Sequence, residues 1–180
     1  MTIQSAIKAF LAESPVPIHE YAFLSPAAIP FSAEVRKACE DNYCGRYGKS
    51  WTCPPGAGDW QELAAHYQSY KNAFVFTTVH KIEDSFDFEG MDAASQVHRK
   101  AEEALLARLS PWLGQFELLG AGSCSICGEC TYPDAPCRYP EKARRSMEAC
   151  GIDVVALSRE NSLHYVNGVN TVTYFSLLVY

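Results

Sequence analysis

The sequence predicts an α+β (or α/β) fold, a mixed sheet of about four strands packed with helices and carrying two cysteine-rich loops. Three observations lead there. One long amphipathic helical pattern lies between short apolar runs rich in β-formers. Thr171–Tyr180 is almost wholly apolar or β-branched. The cysteines concentrate in Gly/Pro-rich stretches that follow neither the helical nor the strand period.

Taken in order, Ile3, Ile7, Phe10 and Leu11 have helical spacing, and Pro15 and Pro17 end that helix. Residues 20–30 read as irregular or extended. Ser32 is placed to cap a short helix over Ala33–Cys39 with Val35 and Ala38 facing inward. Asp59 caps a helix over Trp60–Tyr70, with Leu63, Ala64 and Tyr67 on one face. Ala73–Val79 is a buried strand. Between Met91 and Leu109, Ala94, Val97, Ala101, Leu105 and Leu109 form an apolar stripe, while Arg99, Lys100, Glu102, Glu103 and Arg108 lie elsewhere on the helix. Phe116–Ala121 reads as a second strand, Glu141–Ala149 as a helix and Ile152–Leu157 as a third strand. Thr171–Tyr180, apolar on both faces, is expected at the centre of the sheet.

A chain of 180 residues with 48% apolar and 20% charged residues can bury a core of its own, which predicts one domain over residues 1–180. The net charge of −6, with no Lys/Arg-rich run, argues against nucleic-acid binding. No signal-peptide pattern and no apolar run of about 18 residues occur, which predicts a cytoplasmic protein without a membrane span. In that reducing compartment the eight cysteines suit metal ligation better than disulfides.

Cys124, Cys127 and Cys130 form a C-x2-C-x2-C run. Its spacing lets thiolates from one tight loop reach different irons of a single 4Fe–4S cubane. Cys137, flanked by Pro136 and Pro140, follows after a gap longer than that of ferredoxins, and it can complete either of two clusters. Zinc more often uses two C-x2-C hooks set well apart, and remains the competing metal. Cys39, Cys44 and Cys53 form the first group, in a loop that also carries Arg46, Tyr47, Lys49 and Trp51. Cations and aromatics there can offset cluster charge and exclude water, although three unligated loop thiols would look the same. Two 4Fe–4S clusters need eight thiolates, and Cys150 would be the eighth, but its place at a helix end before Gly151 also suits a packed thiol.

Among the other candidates, His66 and His98 fall on helices at the surface or core edge, and the five histidines form no H-x-x-x-H or H-E-x-x-H pair. The Gly120-Ala121-Gly122 turn lacks the third glycine of a dinucleotide fingerprint and serves to lead the chain out of a strand. Arg138, Lys142, Arg144 and Arg145 balance cluster charge or bind an anion.

The string Tyr47-Gly48-Lys49-Ser50-Trp51-Thr52-Cys53-Pro54-Pro55-Gly56 resembles the first signature of a family of predicted metal-binding proteins of unknown function. The C-x2-C-x2-C run, Pro136–Pro140 and Ser146–Val154 resemble its second, in the same order and at a fitting distance. The resemblance implies metal binding of the iron–sulfur type through Cys39, Cys44, Cys53, Cys124, Cys127, Cys130 and Cys137. It places Cys150 at a variable position, and it implies no particular reaction.

Three functions fit these residues. One is electron transfer to a redox partner protein through one or two 4Fe–4S clusters. Another is an enzyme in which an iron lacking a cysteine ligand acts as a Lewis acid on a small substrate. The third is a structural zinc module for interactions. Seven well-supported cysteines rather than eight is the feature that favours the second. The sequence leaves the oligomeric state open.

Overall fold

The computed structural model describes residues 2–180. Helix α1 (Ile3–Glu13) starts at a reciprocal cap: Thr2 Oγ1 accepts from the Ser5 amide, and Ser5 Oγ accepts from the Thr2 amide. Strand β1 (Tyr21–Leu24) and a 3₁₀ turn (Pro26–Ala28) occupy the stretch expected to be irregular or extended. Helices α2 (Ala33–Glu40) and α3 (Trp60–Gln68) follow, the latter capped by Asp59, which accepts from the Gln61 and Glu62 amides. Strand β2 (Ala73–Lys81) leads to α4 (Phe88–Leu109), which starts before Met91 because Asp87 Oδ1 caps the Gly90 amide at 2.8 Å. Strand β3 (Glu117–Leu119), helix α5 (Val154–Glu160) and strand β4 (Thr171–Val179) complete the chain.

The four strands form one sheet in the order β1-β2-β4-β3. All three ladders are antiparallel, so the expectation of a mixed sheet is corrected; the fold is α+β. β4 is internal, as its apolar sequence predicts, and pairs with β2 along their whole lengths, from Ala73↔Val179 to Lys81↔Thr171. Strand side chains alternate between faces. Ala73, Val75, Leu177 and Val179 pack with Tyr67 of α3, Leu157 of α5 and Ile152, while Phe74, Phe76 and Leu178 pack with Ile7 and Phe10 of α1 and Leu105 of α4. With helices on both faces, β2 and β4 have no solvent side. Their continuous apolar runs follow from that.

Four local expectations are overturned. Over 141–149 no α-helix forms: the Gly120 amide donates to Arg145 O at 3.0 Å and the Met147 amide to Gly120 O at 3.2 Å, so these backbone groups bond across to the end of β3. Only a 3₁₀ turn remains, over Glu148–Cys150. Over 152–157 the expected strand is α5: Gly151 turns the chain at φ 82°, and Asp153 Oδ1 caps the Ala156 amide at 2.9 Å. These end signals outweigh the β-branching of Val154 and Val155. In α2 the inward residue is Arg36, 7% exposed, which donates to Ala149 O at 3.0 Å, whereas Ala38 is exposed. The Ser32 hydroxyl bonds Glu34 rather than capping an α2 amide.

Candidate metal centres

The first cysteine group begins at the end of α2. Arg36, anchored on Ala149 O and paired with Glu40, fixes this helix against the 148–150 turn, and Cys39 is thereby held over the space between them. The chain then doubles back. The Tyr47 amide donates to Asn42 Oδ1 at 2.9 Å, the Gly48 amide to Pro54 O at 2.8 Å, and the Ala57 amide to Cys53 O at 2.9 Å. Gly45 and Gly48 take positive φ at these bends, a conformation with no steric penalty for glycine.

The result is a cavity of about 540 Å³ that Cys39, Cys44 and Cys53 line together. Its other polar side chains include Arg46, Ser146 and Glu148, and Val35, Ala38 and Pro54 contribute apolar wall. The inward position expected for Val35 and Ala38 is thus toward this cavity and not toward the sheet. Burial, and then the charges of Glu148, Cys44 and Cys53, push the Cys39 thiol up. Burial likewise raises the Glu148 carboxyl above its ordinary range. A thiol whose ionisation is opposed in this way is one a bound cation would deprotonate.

The second group occupies a segment without helix or strand. Thr131 Oγ1 donates to Pro136 O at 2.8 Å, and Arg138 Nη1 to Glu129 O at 2.8 Å, closing the loop on itself. Cys124, Cys127, Cys130 and Cys137 all line one narrow cleft of about 20 Å³, with Ser50, Trp51, Thr52 and Tyr139. Cys137 therefore sits with the C-x2-C-x2-C run. The walls of each space come partly from the other loop. Trp51 Nε1 donates to Ala135 O at 3.0 Å, its ring meets Tyr132 edge-on at 4.9 Å, and Gly122 and Ser123 border the first cavity. Gly56 is required here, since a Cβ would lie 2.6 Å from Ser50 O and 2.8 Å from the Tyr132 ring.

Cys150 belongs to neither space. It is fully buried in the core cluster of Tyr67, Ile152 and Leu157; its Sγ lies 3.8 Å from the Tyr67 hydroxyl, and burial pushes the thiol up to about 12. Of the cations near the second group, Arg145 is committed to Ala57 O at 3.2 Å, and Arg144 lies 3.3 Å from Glu102 Oε2. His66 is exposed and paired with Glu117, while His98 is buried at 2% exposure. Glu148 and the polar residues around His98 had no functional signal in the sequence. Glu148 sits inside the signature string Ser146–Val154, but only the turn back toward α2 brings it to the cysteines.

Among the described residues no three His, Cys, Asp or Glu side chains are drawn closely enough together to hold a single metal ion. The cysteines line common spaces without closing on one point. A family model described as predicted metal-binding protein (DUF2284) matches residues 22–180. The chain belongs to that family. Both cysteine groups, both signature strings and all of the sheet but Tyr21 lie inside the matched span, so predicted metal binding is the family's attribute of this region. No curated protein and no solved structure matches the chain. Among the described residues no helix is long and apolar enough to cross a membrane.

Proposed function

We propose that this family member is an iron–sulfur protein of a reducing, cytoplasmic compartment with two unlike 4Fe–4S sites. The observation that carries this reading is the division of seven cysteines over two spaces, three in the first and four in the second, with Cys150 in the core. The donor set of each space is thiol, which suits iron–sulfur chemistry. Cys124, Cys127, Cys130 and Cys137 supply the four thiolates of a closed site suited to carrying electrons. Cys39, Cys44 and Cys53 supply three, beside a cavity with room for a small molecule. When bound, a 4Fe–4S group exchanges electrons, and an iron without a cysteine ligand polarises an oxygen or sulfur donor. The chain's part is to hold three thiols, to shield them with Val35, Ala38 and Pro54, and to set Arg46 and Glu148 beside them.

This reading makes the protein a redox enzyme or Lewis-acid catalyst acting on a small substrate. Electron transfer to a partner protein through both sites is the second reading, favoured by the exposure of Cys44 and of Tyr43 beside it, the latter 88%. Anaerobic purification with iron and sulfide quantified tests both. About eight irons with matching sulfide are expected, and added cyanide should alter the spectrum of one cluster only. Insensitivity of both clusters to cyanide would favour the carrier. Colourless protein with stoichiometric zinc and no labile sulfide would remove both readings.

A further inference from the structure

The sheet face under α4 holds a polar chain inside an otherwise apolar layer. Thr78 and Ser176 are fully buried there, and His98 and Glu102 are 2% and 3% exposed. Groups so buried are costly unless hydrogen-bonded, and each of these is. His80 Nε2 lies 2.8 Å from Thr78 Oγ1, which lies 2.8 Å from His98 Nδ1. His98 Nε2 lies 2.8 Å from Ser176 Oγ, and Ser176 donates to Glu102 Oε1 at 2.7 Å.

The donors fall into one direction. The Ser176 hydroxyl donates to Glu102 Oε1, so its oxygen accepts from His98 Nε2–H. Burial pushes His98 down to about 3, so its ring is neutral with a single N–H, and Nδ1 accepts from Thr78. The 3.9 Å approach of His98 to Glu102 is therefore not an ion pair. Thr78 has its one proton committed, so His80 donates to it through Nε2. His80, half-buried, is the member of the chain with access to solvent.

At the other end Glu102 borders a pocket of about 130 Å³ together with Cys124 and Gly122. Gly120 leaves room for the carboxylate at that end, since a Cβ would come 2.6 Å from Glu102 Oε1 and displace it. The charged groups facing Glu102 are Arg99 and Glu103 of α4 and Lys142, Arg144 and Arg145 across the pocket. Those facing His98 are Arg99 and Glu102 of α4, His80 of β2 and Tyr174 of β4. Packing does not call for such a chain, since well-fitted apolar residues in place of buried charged groups are often neutral or stabilising.

We infer that this chain conducts protons between solvent at His80 and the pocket beside Cys124, so that reduction at the second cysteine site is accompanied by proton uptake on Glu102. The inference rests on the iron–sulfur reading of that site. A one-electron donor supplies the electron, and solvent supplies the proton. His80 takes a proton at Nδ1 and gives up Nε2–H to Thr78, whose own proton passes to His98 Nδ1. His98 releases Nε2–H to Ser176, and Ser176 protonates the Glu102 carboxylate. One charge of each sign has entered, so the net charge is unchanged.

The test is a redox titration of the anaerobically reconstituted full chain at a series of pH values around neutrality. The midpoint potential of one cluster should fall by about 59 mV per pH unit, and that of the other should not. Glu102→Gln and Ser176→Ala should flatten the slope with iron retained, and Ser176→Thr should restore it. A wild-type potential independent of pH, or a slope that survives Glu102→Gln, overturns the relay and leaves the cluster assignment standing. Protein that takes up no cluster overturns both. Should the variants lose iron, histidine ¹⁵N spectra of the oxidised wild type decide: neutral His98 protonated at Nε2 supports the relay, and protonation at Nδ1 overturns it.

Discussion

The two cysteine regions differ in how their thiols are held. Cys124, Cys127, Cys130 and Cys137 come from one loop without regular structure and converge on a cleft of about 20 Å³. Cys39, Cys44 and Cys53 are spread over a helix end and a double bend, and share a cavity of about 540 Å³ with Arg46 and Glu148. Dense local spacing leaves a loop little room for anything but its ligands. Wide spacing recruits walls from elsewhere, here α2 and the 148–150 turn, and leaves volume between them. Under the proposed function, the first region is the place for chemistry and the second a conduit.

The strongest way to break this comparison is to remove one thiol. Cys127→Ser should abolish or convert the second cluster, with about four irons lost if it is abolished, and leave the first largely intact, read by iron, sulfide and paramagnetic resonance. Unchanged iron would mean that the second segment is misassigned.

The shared scaffold should respond differently. Leu105 is fully buried between α4 and the sheet, so Leu105→Ala should cost roughly 2–5 kcal/mol in denaturant unfolding while iron per folded chain stays constant. A loss of one cluster alone would tie α4 to that site and not to both.

Acid should expose the buried ring beneath the second region. The folded His98 stays neutral to about 3, whereas in the unfolded chain it binds a proton below the ordinary value of 6.5. The unfolded state thus holds more protons between those limits. Stability should fall as pH drops through the window, by about 1.4 kcal/mol per pH unit. In His98→Gln this acid limb should be shallower, measured by denaturant melts at successive pH values.

The smallest effect sharpens the count of ligands. Cys150→Ser should keep full iron and cost about 1–3 kcal/mol, the penalty for a hydroxyl in an apolar site, with Tyr67 as its one neighbouring partner. Loss of a cluster would make Cys150 the eighth thiolate, and the contrast between three and four would disappear.

How far the sequence reveals this molecule depends on range. β2, β4 and α4 are legible because burial on both faces, or on one stripe, writes itself into residue period. The cysteine groups are legible as chemistry, but the pairing of Cys137 with Cys124, Cys127 and Cys130 is not, because a loop has no period to extrapolate. The segment 141–157 is illegible for a different reason. Its apolar residues suit either a helix or a strand, and the deciding contacts are the long-range bonds to Gly120 and the local cap at Asp153. Thr78 and Ser176 look like ordinary strand residues, and His98 and Glu102 like an exposed i,i+4 pair. Only the β2–β4 register and the placement of α4 bring them together.

The crossing of the two loops has a thermodynamic consequence. Trp51, two residues before Cys53, reaches across to Ala135 O and Tyr132, two residues after Cys130, packs over Gly56. Filling either region must immobilise part of the other's wall and so prepay some of its ordering entropy. Loading should then be cooperative without any direct contact between metals, and reciprocity demands that each centre tighten the other by the same factor. Under limiting iron and sulfide the population should divide into full and empty chains, with few half-loaded ones. Cutting the indole N–H bond by Trp51→Phe should let half-loaded chains accumulate.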